Sequence, residues 1–495
     1  MPTDVERRTG LSRKLYEEIR ARIADGTYVA GERLPSTRAL AAERGLSRAT
    51  VSLVYEQLAA DGFIESRAGA ASRVAHGAAQ ASAVGRTKQA RSTVPAPDHL
   101  AGPLSAIGQH IASLTLGDSN PTASGEIDFV YGPLSGNDFP TLAWTKALRA
   151  VERQRSHRLE YEDPRGNLEL RRALQAHLSQ TRGLACSVEQ LLIVSGSQQA
   201  LDLCARLLVQ PGASVVVENP GYRMAHHAFE AYGAKLLNVD VDSQGLVTEQ
   251  LAALGPTQMV FVTPTHQFPL GSFLPISRRQ QLLDWAADRR AWIVEDDYDS
   301  EYRYTVRPEA TLYSLDIHGR VIHVGTFSKT LSPQMRLGYM VLPTALIATF
   351  TNAKRVTDRH AATGVQRALS KLLEEGSYDR HVRRIRRLQQ ARQRALLQAL
   401  DRHLGGEVEV QGAASGLHVV VWFRSLPATA ERALVGSARQ QSVRVYPISQ
   451  LFNPSKTRPA EQRSAGLVMG YALLDLDAIE EGVRRLADAL RDVRG

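Results

Sequence analysis

From about residue 125 onward, short apolar runs alternate with longer stretches whose apolar residues recur at helical spacing. Segments 191–195, 214–218, 259–263, 292–295 and 321–325 read as buried strands. Segments 198–209 and 278–288 between them read as amphipathic helices. That alternation predicts an α/β domain with a largely parallel sheet and its ligand at the carboxyl ends of the strands. The first 75 residues are patterned differently. Leu15, Ile19 and Ile23 at four-residue spacing predict a helix over 12–24, broken by Gly26 and Gly31. Pro35-Ser36-Thr37 opens a short second helix that runs to about residue 44, stopped by Gly45. Ser47 suits the N-cap of a third helix, 48–61, with Val51, Val54, Tyr55 and Leu58 inside. Two short strands, 63–66 and 71–74, complete a winged helix-turn-helix.

In that fold the third helix enters a DNA major groove by its N-terminal end. Ser47, Arg48 and Thr50 face outward there, able to bond bases or phosphates. Arg67, Gly69 and Arg73 sit on the hairpin. The rival reading is a helical domain that only folds or binds protein. Charge does not separate the two, since residues 1–76 hold 12 basic and 10 acidic side chains. Residues 76–103 are small, polar and punctuated by proline, which predicts a linker. As a flexible coil it would span roughly 30 Å. A helix over 104–114 opens the next domain. The expected organisation is a head at 1–75, a linker at 76–103 and a large body at 104–495.

Length agrees, because 495 residues exceed what one core usually supports. A net charge of +9 permits an anionic partner without requiring one. Two cysteines, Cys186 and Cys204, point to a reducing cytosol. No signal-like start and no membrane-length apolar run is visible.

Each strand end in the body carries chemistry. Ser195-Gly-Ser-Gln-Gln turns into a helix at Ser197 and Gln198, and its free N–H groups suit a phosphate. A simple capped turn fits equally well. Tyr222 follows a tight turn and suits either ring stacking or core packing. Glu295-Asp-Asp-Tyr-Asp puts three acids in a row at the end of an apolar strand, which is costly without a partner. One carboxylate facing a pyridinium nitrogen, with Tyr298 near, would explain them. No His or Cys cluster keeps a metal-ligand spacing with these acids. Lys329 lies among Thr326, Ser328 and Thr330, with Arg336 seven residues on. An amine able to form a Schiff base, small hydroxyls and a guanidinium suit a phosphorylated aldehyde.

Two resemblances sharpen this reading. Gly31-Glu-Arg-Leu-Pro-Ser-Thr-Arg-Ala-Leu-Ala, Ser47-Arg-Ala-Thr-Val and Tyr55-Glu-Gln-Leu-Ala-Ala-Asp-Gly-Phe-Ile resemble the DNA-binding head of GntR-type bacterial regulators. The resemblance implies Arg33, Arg38, Ser47, Arg48, Thr50 and Gly69 as contacts to double-stranded operator DNA. The body resembles fold-type I pyridoxal-phosphate enzymes of the aminotransferase kind. It implies Lys329 as the Schiff-base lysine, Asp296 at the pyridine nitrogen and Tyr298 near the ring hydroxyl. Thr326, Ser328 and Arg336 would hold the phosphate, with Ser197, Gln198 and Tyr222 as further cofactor contacts. Tyr161, in Tyr161-Glu-Asp-Pro-Arg-Gly-Asn, would reach the neighbouring subunit's cofactor. Head and body together resemble MocR-type regulators, which implies a cytoplasmic head-to-tail homodimer sensing an amine, an amino-acid-type effector or pyridoxal phosphate itself.

Two positions depart from the aminotransferase pattern. Phe268 stands where an asparagine usually contacts the ring hydroxyl. Val468 stands where an arginine usually clamps the substrate carboxylate; Arg463 and Arg444 are the nearby substitutes. Three functions therefore stay open: a cofactor-dependent regulator, a working aminotransferase that binds DNA, and a repressor whose body is purely structural.

Overall fold

The computed structural model describes residues 4–66, 71–76, 78, 104–114, 125–154, 160–305, 310–453 and 464–494, with side chains from residue 11. Gly69, Arg67, Arg463 and nearly all of the expected linker lie outside the described residues. The chain divides into two compact units, Met1–Pro103 and Leu104–Gly495.

In the first unit, α1 (Asp4–Ala24), α2 (Thr37–Arg44) and α3 (Arg48–Ala60) precede a hairpin of β1 (Ile64–Glu65) and β2 (Arg73–Val74). Leu15, Ile19 and Ile23 of α1 pack with Leu40, Val51, Val54 and Leu58 in one core. Gly45 ends α2 at a φ of 60°, a left-handed turn that a side chain would strain.

In the second unit the strands run in chain order. They are β3 (Ile127–Asp128), β4 (Leu191–Val194), β5 (Ser214–Asn219), β6 (Lys235–Asp242), β7 (Gly245–Leu246) and β8 (Met259–Val262). Next come β9 (Trp292–Asp297), β10 (Val321–Thr326) and β11 (Gly338–Val341). Eight form one sheet in the order β4-β11-β10-β9-β8-β5-β6-β7. Its centre, β10-β9-β8-β5-β6, is parallel; β11 and β7 are antiparallel to their neighbours. Both faces are covered, so the strands read as continuous apolar runs. Val215 and Val217 pack with the helix Ser197–Leu208 on one side. Val216 packs with Leu282 and Leu283 of the helix Ile276–Arg289 on the other.

The chain then supplies β12 (Val408–Gln411), β13 (His418–Pro427), β14 (Val443–Arg444), β15 (Tyr446–Pro447) and β16 (Ser464–Gly470). Four make an antiparallel sheet, β12-β13-β16-β15, while β14 pairs in parallel with β3. The helices Ser377–His403 and Leu476–Arg494 pack on this smaller subdomain. The expected α/β body with a mostly parallel sheet is the architecture found.

Candidate functional site

The carboxyl ends of β4, β5, β8, β9 and β10 surround a cavity of about 300 Å³. It brings together Ser197, Gln198, Tyr222, Asp296, Tyr298, Thr326, Ser328, Lys329 and Arg336. Of the cofactor contacts expected from sequence, Tyr161 alone lies elsewhere. Its side chain is 72% exposed, and the Arg359 guanidinium sits 4.7 Å over its ring.

Lys329 follows β10 and points into the cavity, where its Nζ donates to the Gly132 carbonyl at 2.9 Å. Burial pulls its pKa below the ordinary lysine value, with Asp299 and Asp296 partly opposing. A depressed pKa raises the share of neutral amine, the nucleophilic form.

The three consecutive acids divide by strand alternation. Asp296 faces the cavity. Its neighbours point elsewhere: Glu295 holds His323 at 3.0 Å and accepts from the backbone N–H groups of Leu312 and Tyr313, while both Asp297 oxygens lack a hydrogen-bond partner among the described residues. Asp297 lies 3.4 Å from Arg182. Burial works against ionisation of Asp297, but Arg182 and His323 outweigh it and hold it low. Asp296 is different: burial first, then the Asp297 charge, push it up to about 7. Its Oδ1 is buried without a hydrogen-bond partner among the described residues. A pyridinium N–H would satisfy that oxygen and favour its ionised form.

The opposite end of the cavity is built for an anion. Arg336 lies across the turn before Ser197, its Nη2 donating to the Ser195 carbonyl at 2.8 Å. Gly196 adopts a φ of 80°, and a Cβ there would fall 2.8 Å from Arg336 Nη2. Only glycine lets the guanidinium lie against this helix N-terminus, whose N–H groups add partial positive charge. Thr326 and Ser328 bring hydroxyls, and Thr326 Oγ1 also accepts from the Ser328 N–H at 3.1 Å. Among the described residues, no cluster of three or more His, Cys, Asp or Glu is placed to hold a metal ion. A carboxylate at one end, an amine in the middle and an anion cradle at the other fit a phosphorylated pyridine aldehyde.

Both departures from the family pattern are visible. Phe268 lines the cavity and packs edge-on against Tyr222, at 5.8 Å, and Tyr298, at 6.2 Å. Tyr298 Oη lies 3.0 Å from His266 Nδ1, which is 2.8 Å from Asp299. Val468 is fully buried in the same apolar cluster as Phe268. Arg444 turns away to Asp128, at 3.5 Å, and Glu126, so it does not take over the role open to it in the sequence. Arg336 is the one arginine among the described residues lining the cavity.

Sequence reasoning missed several lining residues: Tyr131, Gly132, Thr263, Asp299, Leu417 and His418. Asp299 belongs to the acidic run and was within reach. Tyr131 and Gly132 follow β3, and His418 opens β13, so neither carries a local signal. Burial pushes His418 down to about 3, so its ring is neutral beside Tyr131 and Phe268.

In the head, Arg33, Arg38 and Arg48 are exposed and have no carboxylate within ion-pair distance among the described residues. Arg20, Arg22 and Arg44 are instead paired with Glu17 or Glu18. Ser47 also supports the fold, since its Oγ accepts from the Thr50 N–H at 3.1 Å and caps α3. Ser47→Ala should therefore weaken the first turn of α3 by about 1 kcal/mol. Hydrogen exchange across residues 48–52 would accelerate by roughly fivefold. Arg73 donates to the Gly31 carbonyl at 2.7 Å, tying the hairpin to the loop before α2.

Comparison with known proteins places this architecture. Residues 131–458 match the family described as aminotransferase class I and II. Residues 11–74 match bacterial regulatory proteins of the gntR family. The chain belongs to the transcription regulators that join a GntR-type head to an aminotransferase-like body. It is 35% identical to the probable rhizopine catabolism regulatory protein MocR of Rhizobium meliloti, covering 97% of this chain and 93% of the relative. It is 32% identical to the HTH-type transcriptional regulator TauR of Rhodobacter capsulatus, covering 97% and 96%. Among solved structures it is similar to LysN, an α-aminoadipate aminotransferase from Thermus thermophilus, complexed with N-(5'-phosphopyridoxyl)-L-leucine. That match has 28% identity and a TM-score of 0.66, and covers 75% of this chain and 93% of LysN. The family and the cavity agree on pyridoxal phosphate as cofactor. Among the described residues no helix is long and apolar enough to cross a membrane.

Proposed function

We propose that this is a cytoplasmic, homodimeric regulator whose body uses the Lys329 site to sense an amine or amino-acid-type effector rather than to turn it over. Pyridoxal phosphate bound there supplies an electrophilic carbon that primary amines attack. The chain's own residues do the rest. Arg336, Ser197, Gln198, Thr326 and Ser328 hold the phosphate end. Asp296 takes the ring N–H, and Tyr222 and Phe268 border the ring. Lys329 would hold the cofactor covalently until an outside amine took its place, and Asp299 and Asp296 would favour a proton carried over from that amine onto the released Lys329 Nζ.

The observation that carries this reading is the joining of Lys329, the unpartnered Asp296 oxygen and the Arg336 cradle in one cavity of a chain with a DNA-reading head. Displacement regulates only if the effector binds two body states with different affinity. We place two copies head to tail, with Tyr161 of each directed at its neighbour's cofactor phosphate. Arg33, Arg38, Ser47, Arg48, Thr50 and Gly69 are the assigned DNA contacts.

A working aminotransferase is the second reading, favoured by the near-complete cofactor site. The apolar place of Val468 weighs against it, because no arginine there clamps an α-carboxylate. A screen of amines and amino acids separates the two. A sensor gives a lasting shift of cofactor absorbance and an altered operator complex. Sustained release of oxo acid over many turnovers contradicts the sensor reading.

A further inference from the structure

We propose that His266, together with Asp299, positions the Tyr298 hydroxyl for the cofactor, taking over from the amide that Phe268 lacks. The assignment rests on this cavity taking pyridoxal phosphate, as proposed above. It gives a task to a buried histidine that cofactor binding does not otherwise use.

His266 lies on the loop after β8 and is 2% exposed. Its ring makes both of its side-chain hydrogen bonds through one atom. Nδ1 is 2.8 Å from Asp299 Oδ2 and 3.0 Å from Tyr298 Oη. A carboxylate only accepts, so Nδ1 carries a proton and donates it to Asp299. Nε2, on the far side of the ring, is buried without a hydrogen-bond partner among the described residues. Backbone fixes the ring in place: Gly416 has a φ of 84°, and a Cβ there would collide with His266 Cε1. His418 does not compete for the role. Its Nε2 donates to the Pro269 carbonyl at 3.0 Å, and its ring centroid is 5.5 Å from that of His266.

The consequence falls on the Tyr298 proton. Burial, then Asp299, push the phenol well above its ordinary range, so it stays protonated. Asp296 and Glu218 add to that effect, and Lys329 lines the same cavity. Asp299 is also a hydrogen-bond acceptor for the phenol. Left to itself, Asp299 would keep the phenol's proton. By donating to Asp299, His266 weakens that hold and leaves the Tyr298 O–H free to turn into the cavity. There it would donate to the ring oxygen of a bound cofactor, at a place where Phe268 offers only an apolar edge. A donor at that oxygen favours its ionised form. The proton shared between that oxygen and Lys329 Nζ then leaves at a lower pH.

The test is the pH midpoint of the visible absorbance change in full-length, cofactor-loaded protein, with cofactor affinity as a second readout. Two amides of different reach separate the two edges of the ring. His266→Gln carries its amide out to the place of Nε2 and empties that of Nδ1, whereas His266→Asn keeps an N–H near Nδ1. His266→Gln should raise the midpoint by about one pH unit. It should weaken cofactor binding by roughly 5- to 10-fold. His266→Asn should restore most of both. Tyr298→Phe should raise the midpoint at least as far as His266→Gln. Adding His266→Gln to Tyr298→Phe should then change nothing more, because His266 acts through the phenol. An unchanged midpoint in His266→Gln overturns the proposal, and so does a further rise of similar size in the double variant. If His266→Gln does not fold, His266→Asn decides: a midpoint as high as that of Tyr298→Phe overturns the proposal. A wild type that gains no visible absorbance on incubation with pyridoxal phosphate overturns the cofactor reading as well.

Discussion

Protein carrying Lys329→Ala is expected to leave purification without the visible absorbance of a bound cofactor, and borohydride reduction should add no cofactor mass to it. The amine is the only nucleophile among the described residues that the strand ends deliver to the middle of the cavity. Its bond to the Gly132 carbonyl and the nearby Asp296 and Asp299 hold it there, while burial lowers its pKa. Without it the cofactor keeps only its non-covalent contacts, to Arg336 and the Ser197 turn at one end and Asp296 at the other. Occupancy after gel filtration should fall from near one per chain to below about a tenth. Operator binding should survive, because the head folds around its own core. Retention of reducible cofactor by the variant would place the covalent bond on another lysine.

Asp296→Asn should have two effects of opposite sign. In cofactor-loaded protein it removes a charge-assisted bond to the ring nitrogen, worth about 1.5–3 kcal/mol. Cofactor affinity should fall by roughly 10- to 150-fold. In protein stripped of cofactor the same change should stabilise. The Asp296 carboxyl is pushed up to about 7 from an ordinary value of 3.8, by burial and then by Asp297. Between those two values the folded state holds a proton that the unfolded state has released, so stability falls as pH rises. The penalty is absent below the ordinary value, grows through the interval and is complete above about 7. Replacement by Asn removes it, gaining on the order of 2–4 kcal/mol at pH 8 and almost nothing at pH 4. Urea titrations of stripped wild type and variant at those two pH values measure the difference. An equal gain at both would mean that Asp296 titrates normally and is not held in a dry, like-charged site.

The contrast between Asp296 and its neighbours shows what the sequence can reveal. Three acids at the end of an apolar strand announce a costly site, and strand alternation gives Asp296 one face and Glu295 and Asp297 the other. The partners that fix the neighbours come from 115 residues upstream, at Arg182, and from β10, at His323. No local pattern points to them. The strand ends were legible because a parallel sheet gathers its carboxyl ends on one side. The antiparallel β11, inserted between β4 and β10, was not, because Gly338–Val341 is short and follows the lysine loop directly. Tyr131, Gly132 and His418 escaped for the same reason as Arg182: their place follows from packing between distant segments. Ser47 caps α3, and its sequence position alone gave no way to weigh that cap against the DNA contact expected of it.

The role of Phe268 and Val468 bears on the choice between sensing and turnover. Phe268 would give a bound cofactor ring an apolar edge where an amide would bond, leaving Tyr298, held by His266, as the neighbouring hydroxyl. Val468 lies fully buried in the apolar cluster that contains Phe268 and offers no charge there. Such a wall can admit an amine and retain it without fixing its carboxylate for repeated chemistry.

The most direct measurement of the central claim is operator binding by the full-length protein, followed by fluorescence anisotropy while an amine effector found in the screen is added. Wild type and Lys329→Ala are compared at equal cofactor concentration. The effector should change the affinity of wild-type protein for operator and leave that of Lys329→Ala unchanged. An equal response of both proteins would show that the signal to the DNA-binding head does not pass through Lys329.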